Sequence, residues 1–156
     1  MPILRRRQGS STRSTATLPL EMREQLREPA LGAVPLNADG SAWAVATTGS
    51  LVVFNGCSRP KTHSWDEVEQ GSWDGQERVF TLRWTQQDRG DLVLKVPAGV
   101  RHGDAYASAD VAPFAKALRQ RVEAAIIHSA VATLPSGAMA TASVRRGSDG
   151  ELYSVT

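Results

Sequence analysis

The stretch AWAVATTGSLVVF, residues 42–54, decides how the chain folds. Trp43, Val45 and Thr47 alternate with alanines, so a strand through them presents these three on one face. Thr48, Gly49 and Ser50 supply a turn. Leu51, Val52, Val53 and Phe54 then read as a second, fully apolar strand. Two strands joined by so short a connection run antiparallel. The same rhythm continues on both sides. Residues 31–36 are apolar and end at Asn37-Ala38-Asp39-Gly40, where Asp-Gly suits a tight hairpin turn. Phe80, Leu82 and Trp84 alternate with Val79, Thr81 and Arg83. Gln87-Asp88-Arg89-Gly90 turns the chain into Leu92, Leu94 and Val96. Five to six strands at hairpin spacing predict an antiparallel meander and an α+β class rather than βαβ units.

Helical signals flank the meander. Pro19, Glu21, Met22 and Leu26 predict a short helix that Pro29 stops. A polar loop is expected over residues 97–108. The one long amphipathic helix is expected after it, capped by Asp110, with Pro113 in its first turn. Its stripe is Val111, Phe114, Leu118, Val122, Ala125 and Ile126, and it runs to near His128. Such a stripe needs an apolar partner, and the open face of the curled sheet is the expected one. A final hairpin within residues 137–155 pairs 139–145 with 152–155 across Asp149-Gly150.

The chain has 156 residues, enough for one domain with its own core. Its apolar content of 41% and charged content of 22% are ordinary for a globular protein. Net charge is +2, with 18 basic and 16 acidic residues. Arg5, Arg6, Arg7 and Arg13 give residues 1–20 a charge of +4 and no acid, which leaves the rest at −2. Residues 1–17 therefore read as a disordered basic tail, with residues 18–156 as one domain. A mildly acidic body lacks the electrostatic footprint of a nucleic-acid binder. Three arginines favour weak association with an anionic surface, not stable membrane insertion. The residues after them are polar, unlike the apolar core of an export signal. No apolar run is long enough to cross a membrane. One cysteine, Cys57, excludes an internal disulfide and a paired-cysteine zinc site. A cytoplasmic location is the expectation.

The sharpest chemical pattern is SWDEVEQGSWD, residues 64–74. It repeats Ser-Trp-Asp and carries Asp66, Glu67, Glu69 and Asp74, with Glu77 close behind. Carboxyl pairs beside aromatic rings suit a hydrolase, above all one acting on glycosides. Adjacent acids on a strand point to opposite faces, however, which favours a solvated surface. Trp65 and Trp73 are eight residues apart and share a face on a regular strand. Val68 falls out of that register by one. A break between Trp65 and Val68, or at Gly71, would send all three inward. Trp65 is expected to be the more deeply buried tryptophan, because Trp73 lies beside the Asp74-Gly75 turn.

Other constellations are weaker. His63, His102 and His128 show no metal-ligand spacing. Cys57 and His63 share a loop, an arrangement that more often packs than reacts. There is no phosphate-binding glycine motif. Arg89-Gly90-Asp91 spells an adhesion motif, but it falls where a turn needs such residues. Arg59, Lys61 and His63 are candidates for contact with an anion. No cofactor and no metal is implied.

A long helix following a strand meander resembles the pleckstrin-homology-like (PH-like) architecture. AWAVATTGSLVVF is similar to the strand-turn-strand opening of bacterial PH-like domains, and HSWDEVEQGSWD to their next segment. Arg119-Gln120-Arg121-Val122 with Ile126-Ile127 resembles the helix end in small actinobacterial proteins of this kind. The resemblance covers residues 31–129. It implies a PH-like curled antiparallel sheet or barrel closed by the helix. Domains of that family that bind phosphoinositides gather bases in the loop between their first two strands. Here that loop holds Asp39 and no base, so no phosphoinositide ligand is expected. The resemblance and the lack of a convergent catalytic set imply a non-catalytic module that binds a protein or peptide.

Overall fold

In the computed structural model the described residues are 14–56, 58–133, 139–146 and 152–155, with side chains described up to residue 126. Helix α1 (Leu20–Arg23) leads into strands β1 (Ala30–Pro35), β2 (Ala42–Thr47), β3 (Ser50–Asn55) and β4 (Lys61–Ser64), which form one antiparallel sheet in that order. A 3₁₀ turn, Trp65–Glu67, separates it from β5 (Val68–Asp74), β6 (Val79–Trp84) and β7 (Leu92–Lys95), a second antiparallel sheet. The hairpin of β8 (Gly99–His102) and β9 (Ala105–Ser108) follows, then helix α2 (Ala112–Ala125). A third sheet pairs β10 (Ile126–Thr133), β11 (Met139–Arg146) and β12 (Leu152–Val155) in sequence order.

The quoted hairpin forms as its pattern predicts, with Trp43 opposite Phe54 and Val45 opposite Val52. All six β2 residues are buried, because both faces of this strand are covered. Ala44, Ala46 and Leu51 join the core under α2. Trp43, Val45, Val52 and Phe54 join a second cluster with Leu18, Met22 and Val100. The alternation of alanine with larger residues thus separates a close-packed helix side from a roomier side filled by the N-terminal segment. Gly40 supplies the positive φ of the β1–β2 turn at 76°. Asn37 and Asp39 accept hydrogen bonds from the Ser41 amide there.

Helix α2 lies against β1, β2, β5 and the 3₁₀ turn, across the seam between the first two sheets. Phe114, Ala117, Leu118, Val122 and Ala125 are its buried side. Asp110 accepts a hydrogen bond from the Ala112 amide at 3.1 Å, and Pro113 sits in the first turn. The helix comes close at Gly32 of β1, where a Cβ would stand 2.6 Å from the Phe114 backbone nitrogen.

Several expectations change. The meander is not one curled sheet: β4 and β5 belong to separate sheets, and among the described residues the sheets do not close into a barrel. The cause is local. Ser64 and Glu67 form a capping box that coils residues 65–67 and interrupts the ladder. Residues 61–63, expected in the loop shared by Cys57 and His63, pair with β3 together with Ser64. Residues 97–108 are not a loop but contain the β8–β9 hairpin, turned at Gly103 with φ 59°. The helix ends at Ala125, and Ile126–Thr133 is a strand. Isoleucines, Val131 and Thr133 favour a pleated strand, although Ile126 also fitted the helical stripe. The expected C-terminal hairpin pairs Val144 with Ser154, while its turn lies outside the described residues. Thr15 bridges Ser108, so the described chain begins inside the segment expected as a tail. Arg5, Arg6, Arg7 and Cys57 lie outside the described residues.

Candidate functional site

The first triplet lies at the end of β4 and in the 3₁₀ turn, the second at the end of β5, and they frame two different sites. Trp65 is 4% exposed, and its indole N–H donates to the Thr47 carbonyl at 2.9 Å. Val68 is fully buried opposite Trp84. The register then slips between Val68 and Gln70. This bulge places Gly71 opposite Leu82 and Trp73 opposite Phe80, on the inward side of the sheet. The 3₁₀ turn and the bulge together bring all three apolar anchors of SWDEVEQGSWD to the core side. Trp73 is only half-buried and stacks at 4.4 Å on Phe80.

Beside Trp73 runs a groove of about 380 Å³ between β5 and α2. Residues 69–73 form one wall. Ala115, Leu118 and Val122, on one stripe of the helix, form the other with Ile126 at the start of β10, and Arg119 and Glu123 also line it. Gly71 allows the walls to meet: a Cβ there would lie 3.1 Å from Leu118 Cδ2. Among the described residues β5 pairs with β6 alone, and five consecutive residues of it, 69–73, line the groove. The strand β5 is seven residues long, with residues 69–73 lining the groove, against six residues for β1 and four each for β4 and β7. Those four strands are the edges of the two N-terminal sheets.

At the other end of β5, Arg89 is pinned in the β6–β7 turn. Its guanidinium lies 3.6 Å from the Trp84 ring centroid and 3.0 Å from Glu67 Oε1. Its second terminal nitrogen meets His63 Nδ1 at 3.1 Å, and the His63 ring packs 4.8 Å from Trp84. Burial, with Arg89 adding to it, holds His63 below the ordinary histidine range. The Arg-Gly-Asp turn therefore spends its arginine inside the fold.

The carboxylates of the acidic stretch each have a structural partner. Ser64 donates to Asp66. Glu67 accepts from the Ser64 amide as well as pairing with Arg89. Glu69 pairs with Arg83 at 3.3 Å. Asp74 accepts from the amides of Gln76 and Glu77. Glu69 is the member of this set that borders the groove, with Glu123 on the helix side.

Arg59, Lys61 and His63 do not share one setting. Arg59 lines a cleft with Met22 and Phe54, Lys61 is exposed on β4, and His63 is engaged by Arg89. His102 is exposed, and His128 has no described side chain. No cluster of three metal-ligating side chains exists among the described residues. No described helix is long and apolar enough to cross a membrane.

No family model, curated protein or solved structure matches this chain. The groove's helix wall is part of the stripe visible in the sequence. Its strand wall was hidden by the bulge. Gly71 was the available signal, because glycine inside a strand marks a close approach from another element.

Proposed function

We propose that the protein is a non-catalytic module that binds an extended peptide by strand addition at β5. The observation that carries this is the groove: residues 69–73 of the β5 edge beside an apolar helix stripe, floored by Trp73 and Phe80. An added strand would satisfy its backbone on β5 and place alternate side chains on Trp73, Leu118 and Val122. The opposite side chains would meet Gln70 and Ser72, which are exposed. Apolar residues at every second position are the expected ligand pattern. Polar groups line the strand side of the groove and apolar side chains the helix side, which favours a peptide over a small polar substrate.

A four-stranded sheet, a three-stranded sheet and a helix across their seam also support the PH-like reading of the fold. The β1–β2 turn offers Asp39 and no base, which favours a protein ligand over a phosphoinositide. The hydrolase alternative would need a pair of carboxylates available near Trp65 and Trp73, whereas Asp66, Glu67, Glu69 and Asp74 all hold structural partners.

Selection of a random peptide display library against the intact protein tests the reading. Peptides with the alternating apolar pattern should be enriched. Ala115→Glu places a charge on the half-buried helix wall and should weaken them at least about tenfold, an effect of ~1.4 kcal/mol. Val93→Glu, on the exposed side of β7, should leave affinity unchanged. Equal loss from both variants would exclude the groove as the binding site.

A further inference from the structure

The Arg89 contacts impose a protonation state on His63. A guanidinium has donors and no acceptor. For Arg89 to hydrogen-bond His63 Nδ1 at 3.1 Å, that nitrogen must be bare and the ring neutral, with its proton on Nε2. Adding a proton to Nδ1 would set two donors and two positive charges against each other at this distance.

The groups facing His63 come from four elements. Arg89 reaches it from the β6–β7 turn, Glu67 from the 3₁₀ turn and Lys61 along β4, while the Trp84 ring packs on it from β6. Glu67 is the one of these that favours the charged ring, and burial, Arg89 and Lys61 oppose it. We propose that His63 and Arg89 form an acid-sensitive clamp: protonation of His63 expels the guanidinium from Trp84, and Glu67 changes partner from Arg89 to the imidazolium. The β6–β7 turn loses its anchor, and one face of Trp84 is uncovered. The Trp84 indole N–H donates to the Gly90 carbonyl at 2.9 Å in the same turn, so it reports on the opening.

The direction follows from linkage. The folded-state value lies below the ordinary 6.5, so between the two values the unfolded chain binds more protons than the folded one. The clamp's contribution to stability is complete above pH 6.5 and is lost as pH falls through the lowered value.

Nuclear magnetic resonance of the intact protein across this range tests the clamp without any peptide. His63 should be the Nε2–H tautomer at neutral pH. The Arg89 side-chain and Trp84 indole signals should move with the His63 midpoint. Arg89→Met should raise that midpoint toward 6.5. His63→Gln, which can offer an amide oxygen to Arg89 at any pH, should abolish the acid transition of the Trp84 signal. A proton on Nδ1 at neutral pH, or Trp84 and Arg89 signals indifferent to His63 titration, would overturn the proposal. Both of those readouts come from the unmodified chain, so neither depends on a variant folding.

Discussion

The two Ser-Trp-Asp triplets have the same three residues and opposite fates. In the first, Ser64 begins a capping box, Asp66 accepts from the Ser64 hydroxyl, and Trp65 is sealed into the core with its N–H bonded to Thr47. In the second, Ser72 is exposed on β5, Asp74 holds the amides of the next turn, and Trp73 forms the floor of an open groove. Neighbours set the difference. Glu67 stands three residues after Ser64 and can close the box on its amide. The residue three after Ser72 is Gly75, which has no side chain to do so. One triplet therefore interrupts a sheet, and the other continues it to an edge. Burial follows from that geometry and not from the triplet.

The largest expected effect separates the two tryptophans. Trp65→Ala should cost about 3–5 kcal/mol, because it empties a core position and leaves the Thr47 carbonyl without its donor. Trp73→Ala should cost about 1–2 kcal/mol, on roughly half the buried area. Peptide binding should respond the other way, failing in the folded Trp73 variant. Chemical denaturation and a binding assay on both variants check this, and equal destabilisation would break the contrast. Next come the two acids that follow the triplets' lead. Glu67→Ala removes the capping-box partner and the Arg89 ion pair, for about 1–2 kcal/mol. Asp74→Ala removes a turn acceptor at an exposed site, for about 0.5–1 kcal/mol. Thermal unfolding should rank them in that order. The smallest change is expected from Gly71→Ala. Its new methyl meets only the flexible end of Leu118, so stability should move by less than about 1 kcal/mol. Gly71→Leu should fill the groove and abolish binding while the fold persists.

The hairpin of β2 and β3 was legible because alternation and turn residues agree over residues 42–54. The α2 stripe was legible for the same reason, and so in part was the C-terminal hairpin, in which residues 143–146 pair with 152–155. The division into two sheets was only half visible. Val68 out of register signalled a break, but the capping box of Ser64 and Glu67 that makes it was read as a run of acids. The β8–β9 hairpin was missed because Arg101, His102, Asp104 and Ser108 give it no apolar alternation. Its tie to the body is the burial of Val100 and the bridge at Ser108. Ile126 satisfied both periodicities, and the strand prevailed. The groove joins residues 69–73 to residues 115–126, and no local pattern records that meeting. Nor could spacing show that Arg89 would stack on Trp84 and take His63 as its acceptor.

Backbone hydrogen exchange, with and without a library-selected peptide, tests the strand-addition claim most directly. The account predicts new protection along β5, between Glu69 and Trp73, with the exposed edges at β4 and β7 unchanged. Protection at β4 or β7, with β5 unaffected, would contradict it.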